Sequence, residues 1–146
     1  MADTRQYCTF YLDGKFFGIE VTQVQEVTRY QQMTEVPLAR KEVSGLINLR
    51  GQIVSAIDLR KRLQMPDRPK NFLPMNVVVK TTQGVMSLLV DEIADVMDLS
   101  QDQFEKTPET VKGIARELLD GAYKLDKKLL MVLNVEKTIC LAGTIY

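Results

Sequence analysis

The chain has 146 residues, of which 45% are hydrophobic and 26% charged, and its nineteen basic and nineteen acidic side chains cancel. That length allows one ordinary domain, or two very small ones sharing an interface, and the composition is that of a soluble globular protein rather than a disordered or fibrous one. Histidine is absent, which excludes imidazole metal sites, Ser/His and Cys/His nucleophile pairs and a phosphorylatable histidine.

The opening Met1-Ala2-Asp3-Thr4-Arg5 lacks a signal peptide's apolar stretch, and no run reaches the ~18 apolar residues of a membrane helix. A cytoplasmic protein without direct membrane insertion is expected. Along the chain, Lys15 to Val21, Ile53 to Leu59, Asn76 to Thr81, Val85 to Val90 and Leu129 to Val135 have the length and β-branched content of strands, several of them apolar on both faces. Asp13-Gly14, Arg50-Gly51-Gln52, Gln83-Gly84 and Asp126-Lys127-Lys128 read as the turns around them. Helix signals are short. Asp58 before Leu59 to Gln64, and Asn134 before Val135 to Leu141, are N-caps whose side-chain oxygen can accept from an orphan amide of the first turn. The three-residue period of Val21, Val24 and Val27, and of their repeat counterparts Val90, Ile93 and Val96, suggests a brief 3₁₀ or helical turn between strands. Cys8 and Cys140 lie near opposite ends and are expected as buried, inert thiols rather than a disulfide.

Charge is unevenly spread, with net +3 over residues 1–73 and −3 over residues 74–146. Arg60-Lys61-Arg62 reads as the exposed face of a short helix. Asp91 to Asp102 carries several carboxylates but lacks the glycine and ligand spacing of a calcium loop, so a solvated or partner-facing acidic edge is expected and no metal or cofactor. A nucleic-acid module would show a net basic surface; opposite patches on one chain suit protein partners.

An internal repeat organises the chain. Phe17 to Val27 lines up with Met86 to Val96 at a shift of 69, and Gly45 to Leu59 with Gly121 to Val135 at a shift of 76. Each unit reads as strands, a loop with a proline (Pro37, Pro108), a hairpin and a closing short helix. Short strands with turns between them, in a unit of about 70 residues, indicate an all-β fold of two five-stranded SH3-like or OB-like barrels. The expected first barrel spans about 5–72 and the second about 73–138, with terminal strands or helix open to exchange. Two such small barrels gain from burying a face against one another, and a groove between them is expected.

Gly45-Leu46-Ile47-Asn48-Leu49-Arg50-Gly51-Gln52-Ile53-Val54-Ser55-Ala56-Ile57-Asp58-Leu59 resembles the signature of the CheW family of chemotaxis coupling proteins, G-x-x-N-L-R-G-x-I-x-P-x-x-D-L. Phe17 to Val27 and Leu88 to Leu99 match the family's other blocks, so the resemblance covers nearly the whole chain. Ser55 departs from the family's proline, at what reads as a strand edge. The resemblance implies a non-catalytic adaptor that joins the cytoplasmic tip of chemoreceptors to the regulatory domain of the histidine kinase CheA. It also implies receptor-binding positions in the groove at Val24, Glu26, Gly45, Arg50 and Val96, and kinase contacts on the outer surface of the second barrel near Met86 and Ser87.

Each of these residues also has a plainer role. Val24 and Val96 fit core positions, and their binding role requires one of them partly exposed. Arg50 and Glu26 fit solvated or paired charges. Gly45 and Gly51 fit backbone positions needing φ > 0. A competing reading, an OB-like barrel that binds nucleic acid or oligosaccharide, would want stacking aromatics interleaved with basic residues; Tyr7, Phe10, Tyr11, Phe16 and Phe17 cluster at the amino end with only Arg5 and Lys15 beside them.

Overall fold

A computed structural model describes residues 3–140. The chain begins with β1 (Thr4–Leu12) and β2 (Lys15–Glu20), a 3₁₀ turn at Val21–Gln23, β3 (Val24–Thr28), β4 (Val43–Leu49), β5 (Gln52–Asp58) and α1 (Leu59–Arg62). It continues with β6 (Met75–Thr81), β7 (Gly84–Val90), β8 (Glu92–Ser100), a second 3₁₀ turn at Gln101–Gln103, β9 (Phe104–Glu105), α2 (Ile114–Leu118), β10 (Leu119–Leu125), β11 (Lys128–Leu133) and α3 (Val135–Ile139). The expected strands, the first 3₁₀ turn and the starts of both capped short helices lie where periodicity and turn chemistry put them, whereas Ile93 and Val96 lie in strand β8 rather than in a turn, and Leu141 lies outside the described residues. Asp58 accepts from Arg60 N at 3.0 Å and Asn134 from Lys137 N at 2.9 Å, each satisfying an orphan donor of its helix. Asp13-Gly14 and Arg50-Gly51 both have two successive positive φ angles, as two-residue hairpin turns require.

The fold is mostly β, in two sheets. One has the order β8-β1-β2-β11-β10-β9 and the other β3-β6-β7-β5-β4. Neither consists of consecutive residues: each sheet takes strands from both repeat units. The hairpin β1–β2 pairs with β8 and β11 from the second repeat, while β6–β7 pairs with β3 and β5 from the first. The repeat is carried into the pairing: Ser55 faces Met86 across parallel strands just as Met131 faces Phe17. Bulges at Val43/Gly45 and Leu119/Gly121 also coincide. Ser55 is not at an edge, because β5 lies between β7 and β4.

Strands apolar on both faces supply three apolar layers. The largest holds Phe10, Phe17 and Ile19 of one sheet together with Val77, Val79 and Leu88 of the other. A second, around Tyr7, Tyr123 and Leu130, lies on the six-stranded sheet, and a third, around Ile47, Val54 and Val78, on the five-stranded one. Over that largest cluster the two sheets are packed against each other by side chains.

Gly45 does not have a positive φ; its hydrogen faces a crossing backbone, and a Cβ there would meet Thr34 O at 2.7 Å. Thr34 exchanges two 2.8 Å bonds with Leu46, so the segment after β3 lies tight against β4. Gly121 plays the same part under β9, against Glu105 O and the Phe104 ring.

Candidate functional site

Arg50 occupies the first left-handed position of the β4–β5 turn, with φ 50°. Asn48 Oδ1 accepts from Gly51 N at 2.8 Å and pins the turn. The Arg50 side chain is 76% exposed, and its guanidinium pairs with the Glu26 carboxylate on β3. Since β3 and β4 are the two outermost strands of the five-stranded sheet, this pair ties its edges together at the surface. A bulge between Val24 and Glu26 sets the register of β3 on β6. Val24 is half-buried against the largest apolar cluster, and Val27, 44% exposed, lies next to Glu26 in the chain.

The structure therefore brings Glu26 and Arg50 into contact, with Val24 on the same strand. Gly45 is buried near the start of β4, where it seats the Thr34 segment. Val96 is 57% exposed on β8 of the other sheet, between Asp95 and Asp98, which are also exposed. Its partner under the repeat is Val27, so the two repeat-related valines are both surface residues. Met86 and Ser87 are buried, which corrects their assignment to an outer contact surface. β7 lies between β6 and β5, and Ser87 Oγ donates to Asn76 Oδ1 at 2.7 Å.

A buried ion network was not foreseen. Asp91, between β7 and β8, accepts from Asp13 N at 2.8 Å, Arg60 Nε at 2.9 Å, Arg60 Nη2 at 2.5 Å and Arg68 Nε at 2.7 Å. Arg68 Nη2 also reaches Asp58 at 3.1 Å. Burial alone would push the Asp91 carboxyl up, but its donors outweigh burial and hold it below the ordinary aspartate value. Arg60 and Asp91 are thus not solvated charges, and Arg62 caps α3 instead, donating to the Thr138 carbonyl at 2.7 Å. The available signal was position: Asp91 ends a strand with five buried residues in a row, and Arg60 sits two residues past a cap.

Of the amino-terminal aromatics, Tyr7, Phe10, Phe16 and Phe17 are buried, which leaves no open stacking platform among those four. The Tyr7 and Tyr123 hydroxyls meet at 3.1 Å, and burial, then the bond to Tyr7, pushes the Tyr123 phenol up. Neither cysteine forms a disulfide; Cys8 is half-buried, its thiol pushed up by burial, while Cys140 is exposed rather than buried. Among the described residues no group of three metal-ligating side chains gathers, and no helix is long and apolar enough to cross a membrane.

The family description "CheW-like domain" matches residues 6–141. The chain belongs to the CheW-like family. Its relatives include the chemotaxis protein CheW of Klebsiella aerogenes, 30% identical over 92% of this chain and 81% of that protein. The chemotaxis protein CheW of Bacillus subtilis is 29% identical over 89% of this chain and 83% of that one. The crystal structure of the scaffolding protein TtCheW from Thermoanaerobacter tengcongensis superposes with a TM-score of 0.87 at 25% identity, covering 100% of this chain and 98% of that one. This CheW-like chain is therefore a member of a scaffold and adaptor family of chemotaxis signal transduction.

Proposed function

We propose that this CheW-like chain is a non-catalytic adaptor that couples the cytoplasmic tip of chemoreceptors to the regulatory domain of the kinase CheA, working in the cytoplasm and recruited to membrane-associated receptor arrays. The observation that carries the reading is the Arg50–Glu26 pair, held on the family's N-L-R-G turn with the guanidinium turned outward. A planar guanidinium so placed can bond carboxylates or carbonyls of a docked helix, which lysine would do poorly. Val24 and Val27 add apolar area beside it, worth about 25 cal/mol per Å² covered. Gly45 supports this edge indirectly through the Thr34 segment. Val96, on the other sheet, offers a separate apolar contact.

Fluorescence titration against a receptor-tip helical hairpin, and separately against the kinase regulatory domain, tests the proposal. Arg50→His should weaken receptor binding by about tenfold or more, the effect of losing a bond to a charged group, and Val24→Met should weaken it through shape. Kinase binding and the thermal midpoint should stay near wild type in both. Equal loss on both partners, or none on the receptor, would overturn it.

A further inference from the structure

We infer that the free edge of β8 is a second docking surface, and that it takes a lysine- or arginine-bearing extended segment of a partner protein, which joins the six-stranded sheet as a further strand. β8 pairs with β1 on one side, and among the described residues no backbone group bonds to its other side. Near its start Ile93 packs on the largest apolar cluster. From Val96 to Ser100 the strand runs opposite Thr4 to Cys8 with no break in register, which leaves about 17 Å of open ladder at strand rise. A row of unpaired amides and carbonyls of that length is a template for one more strand.

The charge on that edge selects the strand. Asp95, Asp98 and Asp102 are exposed, and so is Asp3, whose carbonyl accepts from Gln101 N at 2.8 Å and brings its carboxylate beside them. No described cation pairs with any of these four. The one charged residue on β1 is Arg5, opposite Leu99, and Glu20 already holds it at 2.6 Å. Lys127 and Lys128 belong to the other end of the sheet, where Lys128 donates to the hydroxyl of Tyr11, the residue facing Glu92. Asp98 stands six residues on from Glu92, about 20 Å along the strand. Lys106 lies beyond β9, beside Lys124 and Leu129. The negative charge around Asp98 is therefore local and uncompensated.

The repeat supplies a comparison within one molecule. β3, the matching edge, carries Glu26 where β8 carries Asp95, and Arg50 pairs with Glu26. Asp126 stands in the place of Arg50, so the edge of β8 lacks the cation that ties down the edge of β3. Like charge turns away a second copy of β8, an anionic membrane surface and nucleic acid. A cationic strand is the occupant that both the open ladder and the carboxylates fit. Val96, 57% exposed between Asp95 and Asp98, gives that strand an apolar contact. This valine is shared with the proposed receptor contact, while the acidic residues are not.

The test uses the full chain with a short alternating Lys/Val peptide as probe, beside a Glu/Val peptide and a backbone N-methylated Lys/Val peptide, read by fluorescence titration, ¹H–¹⁵N chemical-shift mapping and amide exchange. The Lys/Val peptide should bind best and more weakly as salt rises, with shifts grouped over Asp95 to Ser100 and slower exchange of β8 amides. The N-methylated peptide carries the same charge but cannot complete the ladder, and should bind about tenfold more weakly or worse. Asp98→Lys combined with Asp102→Lys should weaken Lys/Val binding by about tenfold or more, each exposed ion pair being worth up to about fivefold, with the thermal midpoint close to wild type. Asp98→Asn with Asp102→Asn should fall between. Arg50→His, which tests the receptor reading, should leave peptide binding intact, so either reading can fail alone. Five results would each overturn the inference: equal binding of the Lys/Val and Glu/Val peptides; equal binding of the N-methylated peptide, which would mean charge without strand pairing; shifts elsewhere; no binding, which would leave the acids as a guard on the edge; or shifts that follow protein concentration alone and so report a second copy.

Discussion

Asp91→Ala should be among the most damaging single substitutions in this chain. The carboxylate receives four bonds from two guanidinia, one Arg60 Nε–H being shared between both oxygens, and one from the Asp13 amide, at 2.5 to 3.2 Å, in a buried position. Removing it leaves the Arg60 and Arg68 side chains buried with Asp58 as the remaining close carboxylate, since Asp13 stands 4.0 Å from Arg60. Breaking a buried pair by deleting one partner costs about 3–5 kcal/mol, a large part of the ~5–15 kcal/mol that holds a domain together. Urea unfolding at neutral pH reads this directly: with a slope of about 1–3 kcal/mol per M, the midpoint should fall by roughly 2 M. Arg5→Ala, which breaks an exposed pair with Glu20 at 2.6 Å, should leave the urea midpoint close to wild type. The same carboxylate sets an acid limit. Its folded pKa is below the unfolded value of about 3.9, so its contribution is complete above that value and is lost as pH falls from there through the folded pKa. Asp91→Ala should flatten that acid slope. A loss below about 1 kcal/mol, or an unchanged acid profile, would refute the claim that Asp91 is held as a buried, fully paired carboxylate.

Gly121→Ala should cost about 1–3 kcal/mol by overpacking, because the new methyl collides with Glu105 O and the Phe104 ring; thermal unfolding and proteolysis after β9 measure it, and a neutral result would deny the close approach. Tyr123, its phenol raised by burial and by Tyr7, contributes stability that is complete below the unfolded tyrosine value of about 10 and is lost as pH rises from there through the folded pKa. Tyr123→Phe should therefore unfold less steeply in alkali than wild type, as followed by circular dichroism.

Local chemistry made much of this protein readable without coordinates. Two-residue turns at Asp13-Gly14 and Arg50-Gly51, the caps Asp58 and Asn134, and strands apolar on both faces depend on neighbours a few residues away, and the repeat announced a doubled β architecture. The exposure of Arg50 followed from its turn. What the sequence left open was which strands meet. The same apolar strand can pair at an edge or in the middle of a sheet, so Ser55, Met86 and Ser87 looked peripheral and are internal, and the halves exchange hairpins instead of closing separately. Burial of charge was hidden for the same reason: Arg60 and Asp91 are 31 residues apart, and only the crossing of β7 into β8 beside α1 converts two ordinary surface residues into a shared, desolvated pair. Gly45 needed the crossing Thr34 backbone before it had a physical meaning.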